Sequence, residues 1–391
     1  MKDAADIIVV GGGIAGAGAA FALSEFANVT LLEGEGQFGY HATGRSAASF
    51  TENYGTALIR RLAVASRGFL ESPPVGFCPT PIMAPRGMIT IAREDQLDLL
   101  EQELLRGREL APGMRTISVQ DAIARVSVLR PDYVAGAIEE PDSREIDVHA
   151  LHQGFLKGAR ARGALLLTDA RIEAIEHRGD RWAVQTRQGA FHAEIIVNAA
   201  GAWADQIASM AGVAPIGLVP KRRTAFSIPP PDGLSMVGWP LVNDVGDEFY
   251  FKQNAGQIFV SPSDATPSEP MDAYPDDLDV AIGVDRLERA TTLHVRRVSH
   301  SWAGLRTFAM DGSPVVGMDD EHHGFFWLAG QGGYGIKTSP AMSAACAGLI
   351  RDGRLPASLR RLGIDATDLG PGRLRQSGPP HKETWTKEIT A

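Results

Sequence analysis

The first apolar run, Ile7 to Val10, is β-branched throughout, breaks into glycines, and resumes as an Ala/Leu segment to Leu23. That order predicts strand, turn, helix. "NVTLLEG" supplies a second strand ending at Glu33, and the pattern from about Val148 predicts a helix followed by the strand "ALLL". "FFWLAG" at 325–330 reads as another buried strand, with a helix beginning near Thr338 or Ser339 so that Pro340 falls in its first turn. Elsewhere the period is two. "RIEAIEHRGDRWAVQTRQGAFHAEIIVNAAG" alternates as a strand meander, and "GMITIAR", "TAFSI", "EFYFKQN", "GQIFVSPS" and "TLHVRRVSHSWAGL" predict an antiparallel sheet. Helices are expected over 94–110 and 276–291, and the stretch from about Gly370 has no apolar period. The expected fold is an α/β unit of Rossmann type joined to an α+β unit built on antiparallel strands.

Length and charge sharpen this picture. A chain of 391 residues exceeds what one core normally organises, so two domains are expected. A net charge of -9 argues against a nucleic-acid partner. Two cysteines, Cys78 and Cys346, without Cys/His clustering give no zinc site and no disulfide framework, and point to a reducing compartment. The run from Ile7 to Leu23 follows Asp3 and Asp6 and is interrupted by five glycines, unlike a secretory leader, and no integral membrane segment is expected. A cytoplasmic protein, or one peripheral to the inner membrane, is the expectation.

The first turn carries chemistry. Gly11, Gly13 and Gly16 satisfy Gly-x-Gly-x-x-Gly between strand and helix, and Glu33 ends the next strand twenty residues after Gly13. The glycines permit the turn, the approach of a pyrophosphate and close helix packing; the acid accepts ribose hydroxyls. The competing reading is a glycine-rich turn that binds nothing.

Beyond Glu33, "GYHATGRSAASFTENYG" is polar loop where a plain NAD domain would continue into another βαβ unit. With "IIVNAAGAWAD", "SWAGLRTFAMDGSPVVG" and "QGGYGIKTSP", it resembles the D-amino-acid oxidase superfamily of FAD enzymes, in the family's order from residue 7 to about 350. "GRSAA", "PKRRTAF" and "GGYGI" resemble the bacterial FAD-dependent D-arginine dehydrogenases. The resemblance implies an FAD-binding domain over 1–80, 146–205 and 306–366, a substrate domain over 81–145 and 206–305, and a flexible tail over 367–391. It places Ile14, Ala15, Thr43, Gly44, Arg45, Ser46, Ala47 and Ala48 along the cofactor, with Ile172, Ala200 and Gly201 closing over it. Gly332, Gly333, Tyr334, Gly335, Ile336, Lys337 and Thr338 lie against the flavin. Lys337 would stabilise negative charge at flavin N1 and C2=O, unless it is a solvated first-turn lysine. No cysteine stands in "LRTFAMDG", so the FAD is expected to be non-covalent.

The resemblance also implies oxidation of a D-amino acid, with hydride passing from Cα to flavin N5 and the imino acid hydrolysing to a 2-oxo acid and ammonia. Arg306 and Arg222 would hold the carboxylate, with Arg223 the solvated neighbour; Tyr54 and Tyr250 stand near the substrate and the Gly304 carbonyl receives its amine. The electron acceptor would be a quinone, a dye or O2. Ser49, Thr51, Gly87, Leu241 and Asn243 align with the side-chain pocket. Gly87 stands where D-arginine dehydrogenases carry a glutamate, so neutral side chains should outcompete D-arginine and D-lysine unless Glu52 replaces that acid. A sarcosine-like N-methyl amino acid oxidase and a non-catalytic flavin-binding subunit are the alternatives.

Overall fold

A computed structural model describes residues 5–375. Six strands form the first sheet, in the order Val315–Met318, Phe325–Ala329, Ile195–Asn198, Ile7–Val10, Val29–Leu32, Leu165–Leu167. All neighbours are parallel except Val315–Met318, which runs against Phe325–Ala329. Both faces are covered, which is why Ile7–Val10 shows no polar alternation. Ile7, Val9 and Leu31 pack with the helices Ile14–Leu23, Val148–Ala161 and Gly335–Asp352 on one face. Ile8, Val10 and Leu32 pack with Trp182 and Val184 of the three-stranded meander Ile172–Ala193 on the other.

The second sheet is larger. Val219–Ile228 pairs with Gln257–Ser261 and Thr266–Pro267 and, along nine residues, with His300–Phe308. Tyr250–Asn254, Leu241–Asp244, Met88–Ala92, Gly136–Glu140 and Arg115–Ile117 extend it. Leu241–Asp244 is parallel to Met88–Ala92, so the sheet is mixed where the strand pattern predicted it antiparallel throughout. Its strands come from two stretches, 88–140 and 219–308, that interleave with those of the first sheet.

Two boundaries differ from expectation. The helix carrying Pro340 starts at Gly335, placing the proline beyond the first turn. The Ile336 carbonyl that the missing proline N–H would have served accepts from the Ser339 hydroxyl at 2.9 Å. The flexible tail expected from 367 begins too early: Ala366–Leu369 and Gly372–Arg375 are short helices with Leu369 and Leu374 buried. Arg373 pairs with Asp311 at 2.7 Å and Arg375 with Asp319 at 2.5 Å. Residues 376–391 lie outside the described residues. Among the described residues no helix is long and apolar enough to cross a membrane.

Candidate active site

A cavity of about 390 Å3 runs from the carboxyl ends of the first sheet's strands to the face of the second. Gly11 ends the first strand with φ +99°, and a Cβ there would lie 2.5 Å from the Ala199 carbonyl oxygen. Gly16 packs against the Gly11 carbonyl. Gly13 is different: the nearest protein atom to an added Cβ is Thr43 Oγ1 at 3.3 Å, so its bare side opens on the cavity. The helix it starts has no acid in its first turn, and Ile14 N–H donates to the Thr43 hydroxyl at 2.9 Å. Backbone donors, an open glycine and a neutral hydroxyl suit a pyrophosphate. Glu33 Oε2 accepts from Gly12 N–H at 2.8 Å and Oε1 from Glu35 N–H at 2.9 Å. Burial raises its pKa, against the lowering effect of those two bonds. With Ala170 and Ile172 it lines the same end, as an adenosine site requires.

Midway, Ser46, Ala47, Ala200 and Gly201 line the cavity. The Gly44–Ala48 loop is clamped from the second sheet. Arg45 donates to the carbonyls of Ala273 at 2.7 Å and Ala303 at 2.9 Å and pairs with Asp272. Lys252 donates to Ala47 O at 2.8 Å. Ala48 sits at φ +38°, a strained conformation for a non-glycine residue at a ligand-facing loop. Gly332, Gly333, Gly335 and Ile336 form the far wall. The bare Gly333 backbone leaves room for the Arg306 guanidinium, which would lie 2.9–3.1 Å from a Cβ there. The cradle fits a dinucleotide, with Gly13, Thr43 and Glu33 toward the nucleotide end and Ala47, Gly304, Gly333 and Ile336 toward the ring. Neither Cys78 nor Cys346 lines it.

Strand parity decides which cations face this space. Val219–Ile228 and His300–Phe308 pair antiparallel with Arg223 opposite Gly304 and Lys221 opposite Arg306, so these four share one face. Arg223, Gly304, Arg306 and Tyr250 line the cavity. Arg222 points the other way, to Asp279 at 2.7 Å and Asp276 at 3.5 Å at the start of helix Asp277–Ala290. The assignment of Arg222 as the inward residue and Arg223 as its solvated neighbour is therefore reversed. Neither Arg306 nor Arg223 has a carboxylate within ion-pair distance among the described residues. Arg306 Nη2 reaches the Tyr250 hydroxyl at 3.5 Å. Burial disfavours its charge, but Tyr250, Tyr54 and Asp247 hold its pKa above the ordinary value. Tyr54, whose phenol burial pushes up, and Tyr334 stand behind it with ring centroids 5.3 Å apart.

Lys337 neither lines the cavity nor meets solvent. It is 4% exposed, and its ammonium donates to the carbonyls of Thr51 at 2.8 Å and Tyr54 at 2.7 Å, neither of which lines the cavity. Burial lowers its pKa to about 7, against the raising effect of Glu140 and Glu52. Thr338, bonded to Tyr334 O, is equally buried away from the cavity. The five expected side-chain pocket residues do not line it either. Thr51 donates to Glu140 at 2.6 Å, Asn243 turns to the Asp244 carbonyl, and Leu241 packs behind Tyr250. Ser49 is paired with Glu145, and Gly87 turns against Pro240. Glu52 is held by Arg67 at 2.7 Å and supplies no substitute acid. Asp247, in a turn between two strands, was not expected at all.

The chain resembles known proteins over nearly its whole length. It is 24% identical to glycine oxidase of Geobacillus kaustophilus, covering 88% of this chain and 92% of that protein. It is also 24% identical to mitochondrial dimethylglycine dehydrogenase of Rattus norvegicus, covering 95% of this chain and spanning 45% of that longer protein. The fold matches the crystal structure of the same glycine oxidase with a TM-score of 0.77 at 22% identity, covering 89% of this chain and 95% of that one. L-proline dehydrogenase from P. horikoshii matches with a TM-score of 0.79 at 20% identity, covering 96% and 98%. None of these is specifically a D-arginine dehydrogenase. The family model described as DAO, FAD dependent oxidoreductase, matches residues 6–349, and the chain belongs to that family of FAD-dependent oxidoreductases.

Proposed function

We propose that this enzyme oxidises the Cα–N bond of an amino acid, with D-amino acids bearing uncharged side chains as its substrates. One observation carries the reading: Arg306 and Arg223 line one face of the cofactor cavity with no carboxylate at ion-pair distance among the described residues. Both guanidiniums are half-buried, and a planar fork facing a cavity in that state matches a carboxylate. Bound FAD would supply the hydride acceptor.

The protein's own groups then orient and shield. Arg306, fixed against Gly333 and beside Tyr250, grips the carboxylate; the carbonyl of Gly304, on the same face, receives the amine. With Cα held between them, no side-chain base is required once the amine is neutral. The D configuration rests on the likeness of "GRSAA" and "GGYGI" to D-amino-acid enzymes. A second reading, an N-methylated glycine or glycine itself, is favoured by the glycine oxidase and dimethylglycine dehydrogenase relatives. Anaerobic mixing of the holoenzyme with the D and L forms of alanine, leucine and arginine, and with glycine and sarcosine, separates these. The neutral D-amino acids should bleach the flavin fastest; bleaching by sarcosine or glycine alone would transfer the assignment to the second reading.

A further inference from the structure

Behind Arg306 lies a second, narrow space of about 20 Å3, whose charged lining is Lys221, Arg222, Arg223, Arg306, Asp247 and Asp264, with Tyr54, Phe308 and Tyr334 beside them. Arg223 and Arg306 line both this chamber and the cofactor cavity, so it adjoins the carboxylate grip. Three polar atoms of its lining residues are closed to solvent and have no hydrogen-bond partner among the described residues: Asp247 Oδ2, an acceptor, Arg223 Nη1, a donor, and Arg222 Nε, a donor that lies 3.9 Å from the Asp264 carboxylate. Each is otherwise fixed. Ser263 Oγ donates to Asp247 Oδ1 at 3.3 Å, and Arg223 Nε donates to the Asp264 carbonyl at 2.7 Å. Asp247 and Ser263 both hold left-handed backbone, at φ +52° and +56°, a cost that persists where the surroundings impose it.

We propose that this chamber is the side-chain subsite for an uncharged group that both donates and accepts hydrogen bonds, which makes the substrate an amino acid of the hydroxyl or carboxamide type. The proposal rests on the amino-acid reading above and narrows it. Size excludes a ring or a guanidinium and favours the hydroxyl member of the class, because such a space admits about one water-sized group. Charge and hydrogen bonding support it as well: an ammonium tip would meet Lys221, Arg222, Arg223 and Arg306, and a carboxylate tip would give Asp247 Oδ2 no donor. An acceptor and a donor left unpaired in one narrow space are satisfied together only by a group carrying both functions.

The test uses isosteric pairs on the holoenzyme, reading kcat/KM for anaerobic flavin bleaching. D-threonine should exceed D-valine, and D-asparagine should exceed D-leucine, each by at least about tenfold, because the apolar partner strands the buried donor and acceptor. D-aspartate and D-lysine should both fall below D-asparagine. Asp247→Asn and Asp247→Leu, checked for flavin content and melting temperature, should shrink the threonine-to-valine ratio, the leucine variant most. Bleaching by both members of each pair at equal efficiency would overturn the subsite alone. D-aspartate leading the panel would likewise overturn it, and would mark the chamber as a second carboxylate site. No bleaching by any amino acid while flavin remains bound would overturn the amino-acid reading beneath it.

Discussion

Replacing Lys337 with methionine tests the most consequential relocation in the site. The ammonium is buried beneath the loop that carries Thr51 and Tyr54, and its pKa falls from 10.5 to about 7 because burial penalises the charge more than Glu140 and Glu52 favour it. A fall of that size is worth about 5 kcal/mol of unfavourable charge burial at low pH. The sign follows from proton counting. Below pH 7 the lysine is charged in both folded and unfolded chains, and the whole cost is present. Above pH 7 the folded chain releases the proton while the unfolded chain keeps it until near pH 10.5, so stability rises with pH at up to about 1.4 kcal/mol per unit. Lys337→Met has no proton to release. Urea unfolding of both proteins with saturating FAD at pH 6, 7, 8 and 9 should show the wild type gaining roughly 2–3 kcal/mol on the variant between pH 7 and 9. Loss of the two hydrogen bonds offsets the curves without changing this slope. Parallel curves would refute the buried placement.

Three further outcomes follow from the geometry. Arg306→Lys keeps the charge but loses the planar fork, so KM should rise strongly, with kcat/KM falling by about 2–5 kcal/mol equivalent; unchanged steady-state kinetics would remove Arg306 from the carboxylate. Arg222→Ala should lower the melting temperature through its lost Asp279 pair while KM stays near wild type, whereas Arg223→Ala should raise KM; the reverse pattern would contradict the strand parity. Gly13→Val should yield mostly apoprotein by absorbance, since the space its Cβ would take faces the cavity, and denatured wild type should release its flavin into the filtrate.

The nucleotide end was legible because its physics is local. A β-branched strand, three glycines at fixed spacing and an acid one strand later constrain each other within 33 residues, and the structure assembles them as read. The substrate end depended on orientation, which spacing does not carry. Val219–Ile228 is covered on both faces, with little alternation in its burial, so nothing in "PKRRTAF" says that Arg223 faces the cavity and Arg222 the helix. Lys337 was expected just ahead of a helix and instead lies in its first turn, where a lysine can point to either side, and the carbonyls that capture it lie 283 and 286 residues away. Asp247 sits in a hairpin turn, where an aspartate is ordinary, and only its left-handed backbone and unpartnered oxygen distinguish it. The segment to Arg375 lacked a period because it consists of two four-residue helices, held by ion pairs to Asp311 and Asp319.

The account centres on an amino acid held by Arg306 with its Cα–H presented to the FAD. Its most direct measurement is the anaerobic rate of flavin bleaching for D-alanine and for D-alanine deuterated at Cα, under saturation, in wild type and Arg306→Lys. The account predicts a primary isotope effect on the bleaching rate in the wild type, with a much higher concentration needed for saturation in the variant. Equal rates for the two isotopologues together with equal saturation in both proteins would contradict it.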